Sequence, residues 1–199
     1  MKTLILDTST DYLYVRFYNE DDKSTIFGKE MISHNNHSEN LLVVIEEGLK
    51  EKNLKLKDFD KVIVGDGPGS YTGLRIAMVV AKMISYTLDI PMYTISSLSL
   101  IGSGYISLNN DKVNKNILIS SKAKKNHSYI KVVESNTGKE LVSDSFVTDD
   151  EKEKIVSQYD AFVVDFTNYN VKEEVIISLA NKVENVHEVI PNYLRQANT

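Results

Sequence analysis

The sequence predicts an α/β fold in which a βββαβα unit occurs twice in tandem to form two lobes. Three observations lead to this prediction. Apolar runs of strand length occur in sets of three, a stretch of helical period follows each set, and the order of elements in residues 3–95 recurs in residues 116–190. With 199 residues, the chain is long enough for each lobe to bury a core.

The first half predicts strands at residues 3–6, 13–18, 25–32, 61–64 and 92–95 and helices at residues 38–52 and 72–88. Ser38 or Asn36 could cap the first helix, and Glu39 favours the positive end of its dipole. The apolar side chains of this helix fall within a stripe about 160° wide. Pro91, which cannot continue a helix, follows the second helix.

The second half predicts strands at residues 116–121, 128–134, 140–148, 161–165 and 186–190 and helices at residues 150–157 and 171–183. Glycine and asparagine cluster at the joint near residues 99–115. We therefore expect an N-terminal lobe (1–101), a C-terminal lobe (102–190) and a C-terminal tail (191–199) that could pack back on the N-terminal lobe. Such duplicated units form the architecture of the ribonuclease H-like superfamily of actin, Hsp70 and the sugar kinases.

Composition excludes several classes of site. The chain has no cysteine, which rules out disulfides and thiolate catalysis. His34 and His37 precede the first helix without an identifiable third ligand, so we predict a solvated capping segment rather than a metal site. A net charge of −5 is unfavourable for holding a nucleic acid unaided. The apolar run broken at Asp7 is too short for a signal peptide, and no run approaches the ~18 residues of a membrane span. We expect a soluble cytoplasmic protein.

A short polar turn follows the first predicted strand. Asp7, Thr8, Ser9 and Thr10 stand where the superfamily holds metal-bound phosphates with an acidic residue and small hydroxyls. Hydroxyl and backbone N–H donors can receive an anion, and a carboxylate can hold Mg²⁺. The alternative is that these side chains shape the turn by bonding their own backbone. The sequence leaves a vestigial phosphate-binding turn as one of two interpretations.

A glycine loop, GDGPGSYTGLRIA, leads into the second predicted helix. It matches neither a P-loop nor a dinucleotide fingerprint. Gly67 and Gly69 would permit positive φ around a proline turn, Gly73 would allow close packing, and Ser70 or Thr72 would cap the helix. We predict that the loop delivers the helix, although N–H groups at a helix start could still bind an anion.

The second lobe lacks the features of an independent nucleotide site. Its first hairpin has Lys122, Lys124 and Lys125 but no carboxylate, and the segment FTNYNVK after Asp165 has no glycine. A solvated turn is the default interpretation of the lysines, with an RNA or phosphate contact as the alternative. These absences argue against independent catalysis. A small-molecule kinase or ATPase with degenerate nucleotide motifs remains the rival interpretation, and a peptidase a weaker one.

The second predicted helix is apolar over most of its circumference. Its polar positions, Arg75, Lys82 and Ser85, occupy one narrow strip, so the helix needs cover on two sides. Its own sheet can supply one side, and the first helix or another protein must supply the other. We predict a partner interface on the two helices, with the candidates Leu41, Leu42, Ile45, Gly48, Leu49, Ile76, Val79, Val80 and Met83.

Five segments of the chain resemble the TsaB (YeaZ) family: LDTST, HSENLL, VGDGPGSYTGLRIA, DIPMYTISSL and the terminal PNYLR. The resemblance is close over about residues 1–100 and weak beyond them, apart from PNYLR. The chain departs from the family before the second hairpin, where an acidic "DAR"-like element is expected and Lys122-Ala123-Lys124 stands instead.

The resemblance implies a companion subunit without catalytic residues of its own. TsaB-like proteins pair through their two N-terminal helices with a paralogue, TsaD, which holds the ATP, Mg²⁺ and catalytic metal, and a TsaE-like ATPase joins them. The assembly transfers a threonylcarbamoyl group to the adenosine beside the anticodon of tRNAs that read codons starting with A. The resemblance further implies that this chain needs no cofactor and contacts tRNA only through the complex. Because the predicted helix surface would be an exposed apolar patch in isolation, we expect a homodimer when the partner is absent, and we expect no membrane association.

Overall fold

The computed structural model describes residues 1–9, 12–32, 37–107 and 115–194, and the side chains of residues 32 and 37–39 are not described. Thr10, His34, Asn36 and the end of the predicted tail therefore lie outside the described residues. The strands are β1 (Lys2–Asp7), β2 (Tyr12–Asn19), β3 (Ser24–Ile32), β4 (Lys61–Gly65), β5 (Met92–Ile95), β6 (Asn116–Lys124), β7 (His127–Glu134), β8 (Glu140–Thr148), β9 (Ala161–Val164) and β10 (Asn181–Lys182). The helices are α1 (His37–Glu51), α2 (Tyr71–Leu88), α3 (Ser97–Gly102), α4 (Asp149–Tyr159) and α5 (Glu173–Leu179).

The strand order confirms the predicted duplication. In the described residues the first sheet has the order β10-β5-β4-β1-β2-β3 and the second has the order β8-β7-β6-β9. In both sheets three consecutive strands form an antiparallel meander, and the fourth strand lies parallel to the first. The fold is therefore the predicted α/β architecture with two βββαβ units.

The chain divides into two compact units at places that differ from the predicted boundaries. The first unit consists of Met1–Ile95 and Ala180–Asn192, and the second consists of Ser96–Leu179 and continues from Tyr193. The predicted closing strand of the second sheet, at residues 186–190, is not formed. Instead, β10 pairs antiparallel with β5 of the first sheet, and Val186 and Val189 pack against the first core.

The core of the first unit lies between its sheet and two helices. Strands β1, β2 and β4 contribute buried aliphatic residues, and α1 and α2 pack over them. The ring of Phe17 lies 5.1 Å from that of Phe27 and 4.9 Å from that of Phe59. A Cβ on Gly48 of α1 would lie 2.6 Å from the Phe27 ring, so this glycine lets the helix approach the aromatic cluster.

Helix α2 begins and ends close to the predicted positions. The Ser70 hydroxyl accepts a hydrogen bond from the Gly73 N–H (3.4 Å), so Ser70 rather than Thr72 caps the helix. The helix ends at Leu88, and its C-cap residue Asp89 takes the left-handed conformation two residues before Pro91. Of the helices in the described ranges, not one is both long and apolar enough to span a membrane.

Candidate functional site

The polar turn after β1 is buried and bonded within its own unit. Asp7 is 2% exposed, and Thr8 and Ser9 are fully buried. The Ser9 N–H donates to Oδ1 of Asp7 at 2.6 Å, and the Thr8 hydroxyl donates to the Gly73 carbonyl at 2.7 Å. The side chains thus shape the turn by local and glycine-loop bonds. Oγ of Ser9 has no hydrogen-bond partner among the described residues.

The glycine loop packs directly on this turn. An added Cβ would lie 1.9 Å from the Ser9 carbonyl oxygen at Gly69 and 1.8 Å from the Thr8 carbonyl oxygen at Gly73. Such distances are far inside van der Waals contact with the backbone, so only glycine fits either position. The Ser70 N–H donates to the Ser9 carbonyl, which joins loop and turn. The two segments predicted as separate candidate sites therefore form one closed structure.

One prediction for the loop needs correction. Gly67 has the expected positive φ of 113°, but Gly69 is not among the glycines with positive φ. Gly69 is required for the close approach of two backbones rather than for its conformation. Thr72 is exposed on the first turn of α2. The N–H groups of Ser70 and Gly73 are both bonded within the chain, which reduces the number of donors the helix start could offer an anion.

The predicted interface residues fall into two groups, and the structure contradicts the first. Four candidates are buried in the chain's own core: Leu41, Ile45, Gly48 and Val80. The physical reason is that the most apolar stripe of each helix packs against its own sheet. Leu49 and Ile76 are partly buried at the edge of that core.

The second group is exposed. Leu42, Val79 and Met83 are 61%, 52% and 63% exposed. The sequence interpretation missed Val43 on α1 and Tyr86 on α2, which are 49% and 70% exposed. At 100° per residue Tyr86 lies within about 60° of Val79 and Met83 on α2, whereas Val43 lies opposite the predicted stripe of α1, so only Tyr86 had a signal in the sequence. We call Leu42, Val79, Met83 and Tyr86 the apolar helix face. They lie on two helices that contact one another.

The C-terminal segment of the first unit borders this face. The ring of His187 lies 5.1 Å from that of Tyr86 in an edge-on arrangement, and the Lys82 ammonium donates to the His187 carbonyl at 3.3 Å. Helix α2 is thus covered by its sheet, by α1 and by this segment, and Val79 and Met83 stay exposed between them. The second side of α2 is therefore covered only in part.

The basic hairpin of the second unit lines a cavity. Lys122 and Lys124 of β6 border a space of about 490 Å³, together with residues of β7, α4 and the loop after β9. Lys125, at the hairpin tip, is exposed and does not border the cavity. No three residues of the histidine, cysteine, aspartate or glutamate types stand together as a metal site in the part of the chain that the structure describes.

Comparison with known proteins gives a consistent group of relatives. The family model described as "TsaD: tRNA N6-adenosine threonylcarbamoyltransferase" matches residues 31–148. The tRNA threonylcarbamoyladenosine biosynthesis protein TsaB of Bacillus subtilis (strain 168) is 34% identical over 105 residues, which are 52% of this chain and 44% of that protein. The protein of the same name from Haemophilus influenzae is 28% identical over 130 residues, 65% of this chain and 52% of that protein. The chain thus spans about half the length of these curated relatives.

Two crystal structures from Pseudomonas aeruginosa share the fold. A structure of an uncharacterized protein with similarity to peptidase YEAZ has a TM-score of 0.73 at 20% identity and covers 98% of this chain and 99% of its own. A structure of YeaZ has a TM-score of 0.60 at 23% identity and covers 74% of this chain and 66% of its own. At these identities the likeness shows the two-unit fold and nothing about activity.

Proposed function

The chain belongs to the family that the TsaD model describes and, within it, to the TsaB (YeaZ) group, and on that premise we propose that it is a non-catalytic scaffold and activator subunit. It pairs with a TsaD-like paralogue in the complex that transfers threonylcarbamoyl to the anticodon-adjacent adenosine of tRNAs that read codons starting with A. A TsaE-like ATPase is the third component. The apolar helix face is the single observation that carries the scaffold role.

The apolar helix face has the character of a docking surface. Met83 and Tyr86 are among the most exposed large apolar side chains of the chain, at 63% and 70%. Exposed apolar groups that share neighbouring helices mark interaction sites on soluble proteins, and methionine and tyrosine are enriched in interfaces. The charge of the chain agrees with this role, because a net charge of −5 leaves contact with the tRNA backbone to a more basic subunit.

The closed turn supports the absence of catalysis in this chain. The Ser9 N–H, the Thr8 hydroxyl and the Ser70 N–H all have partners within the first unit. A phosphate at this turn would have to displace those bonds. We therefore propose that the chain requires no cofactor and that the TsaD-like subunit holds ATP, Mg²⁺ and the catalytic metal. We propose the cytoplasm as the location of the complex.

The experiment combines the purified chain with its TsaD-like paralogue and the ATPase. We expect a stable pair in size-exclusion chromatography and a higher rate of tRNA modification than the paralogue achieves without the chain. The chain incubated without the paralogue should neither modify tRNA nor hydrolyse ATP. Absence of a complex together with an unchanged rate would refute the scaffold role, and ATP turnover by the isolated chain would favour a kinase or ATPase.

The substitution Val79→Glu tests which surface pairs. It places a charge in the apolar helix face at a residue that is 52% exposed, so folding should be preserved while affinity for the paralogue falls about tenfold or more. It should also dissociate the homodimer expected for the isolated chain. Phe162→Glu is the matched control, because it charges an apolar residue of the second unit that is 47% exposed. If both variants bind normally, or both fail equally, the apolar helix face is not the interface.

A further inference from the structure

The cavity of the second unit lies where α/β sheets bind ligands. The parallel pairing of β6 with β9 ends at Ile119 and Val164, and the cavity is bordered by residues that follow directly, including Ser120 and Asp165. The carboxyl ends of neighbouring parallel strands form the usual ligand crevice of an open α/β sheet. A volume of about 490 Å³ is within the range of small-molecule sites.

The acidic and basic side chains around the cavity differ in whether they have polar partners. Oδ1 of Asp165 accepts from the Thr167 N–H at 2.8 Å and from the Thr167 hydroxyl at 2.6 Å, and these bonds lower the pKa of Asp165. The Asp149 carboxylate accepts from the Ser128 hydroxyl at 3.2 Å. By contrast, within the described ranges no carboxylate lies within 4 Å of the ammonium groups of Lys122 or Lys124. The cavity therefore offers ammonium groups without a carboxylate partner beside Asp149 and Asp165, whose carboxylates already accept hydrogen bonds.

Aromatic contacts hold the basic side of the cavity in place. The His127 ring stacks on the Phe146 ring at 4.9 Å, and its Nδ1 lies 3.0 Å from the Lys125 carbonyl oxygen. The Lys124 ammonium lies 5.4 Å from the centre of the same Phe146 ring. Phe166 supplies an apolar wall. A group with an anionic end and a flat or apolar body matches this combination.

The neighbouring acidic residues favour a compact ligand over a polyanion. Asp149, Asp150 and Glu151 occupy the first turn of α4, and Glu153 borders the cavity as well. A nucleic-acid backbone crossing this surface would bring further phosphates close to those carboxylates. A single phosphate can reach the lysines without doing so.

We propose that this cavity binds a phosphate monoester of nucleotide size. The phosphate lies between the ammonium groups of Lys122 and Lys124, and the organic part lies against Phe166. The proposed function assigns no ligand to the second unit, so this site goes beyond it, and it requires binding but no catalysis.

Calorimetry on the isolated full-length chain tests the site with AMP, adenosine and inorganic phosphate as probes. We expect AMP to bind, with adenosine and phosphate each weaker by about tenfold or more, since each lacks one half of the contacts. Lys122→Ala should weaken AMP binding by about tenfold or more. Lys125→Ala is the matched control: it removes the same charge from the same hairpin outside the cavity and should change affinity less than about twofold.

Other outcomes overturn the site. AMP that does not bind at millimolar concentration refutes it, as does AMP binding that Lys122→Ala and Lys124→Ala both leave unchanged. A short RNA that binds more tightly than AMP, with equal losses for Lys122→Ala and Lys125→Ala, would show a polyanion surface instead. Circular dichroism of each variant separates lost binding from lost folding. The paralogue is not present, so failure here and failure of the scaffold role are distinguishable.

Discussion

Both units contain the same βββαβ arrangement of strands, but the region around the end of the first strand is buried in one unit and borders a cavity in the other. In the first unit Thr8 and Ser9, which follow β1, are fully buried, and the backbone of Gly69 and Gly73 lies against them. In the second unit the matching hairpin, β6 to β7, borders an open cavity. The same topology therefore produces a closed turn in one unit and a cavity in the other.

Glycine accounts for the difference. The loop after β4 can approach the first turn because two glycines carry no Cβ at the points of contact. The loop after β9, residues 165–172, contains no glycine. Side chains such as Phe166 and Thr167 stand there instead and border the cavity. Whether a duplicated hairpin is closed or open thus depends on the residues of a distant loop.

The largest expected effect comes from a side chain added at the closed turn. Gly73→Ala would place a Cβ 1.8 Å from the Thr8 carbonyl oxygen, and because the obstacle is backbone, we expect a loss of about 3 kcal/mol in the free energy of unfolding. Gly104→Ala in the second unit is the matched control. Its Cβ would meet the exposed side chain of Asn170, which can rotate away, so the loss should be about 1 kcal/mol or less.

Urea unfolding followed by circular dichroism measures both variants. Equal losses at Gly73 and Gly104 would show that the closed turn can relax, and that the contrast between the two hairpins does not rest on backbone contact. A Gly73→Ala protein that fails to fold at all agrees with the prediction only if Gly104→Ala folds normally.

An intermediate effect distinguishes the two cores. Helix α1 buries Val44, which is 3% exposed, whereas α4 has no buried residue and Val156 only borders the small cluster of Leu118, Ile130 and Val132. Val44→Ala should therefore cost about 2 kcal/mol and Val156→Ala about 1 kcal/mol or less in the free energy of unfolding. The residue type is the same, so the same urea experiment compares burial directly. A larger loss for Val156 would mean that the second core depends more on its helix than its burial indicates.

Most of the fold could be predicted from the sequence because its signals are local. Each long strand and helix has its own period, and α2 is bounded by Ser70 and Pro91. The pairing of β10 could not be predicted, because a strand of two residues is too short to show a period in the sequence. It is defined by its hydrogen bonds to β5 at the edge of the first sheet. The sequence also did not show which apolar residues of α1 face its own sheet and which are exposed. Leu41 is buried and its neighbour Leu42 is 61% exposed, and composition cannot tell which of two adjacent leucines faces the sheet.

Buried charges provide the last contrast. In the first unit Lys61 pairs with Glu20 at 2.9 Å. In the second unit Lys131 lies 2.6 Å from Glu140 and 3.5 Å from Asp144, and Ser96 donates to Asp144 at 2.8 Å. Burial raises the pKa of Asp144, and the attraction of Lys131 offsets this only in part. The second unit thus contains an acid whose charged form is disfavoured by folding.

The smallest predicted effect follows from the sign of this pKa shift. Because the pKa of Asp144 is higher in the folded than in the unfolded protein, the folded state holds the proton more tightly, and stability is lost as the pH rises from the unfolded pKa through the folded pKa. Asp144→Asn removes this titration, so its melting temperature minus that of the wild type should increase with pH between acid and neutral conditions. Glu140→Gln, which changes the 47% exposed partner of the same lysine, is measured alongside to separate the loss of a charge beside Lys131 from the titration of the buried acid. A difference for Asp144→Asn that falls as the pH rises would mean that the ion pair with Lys131 outweighs burial.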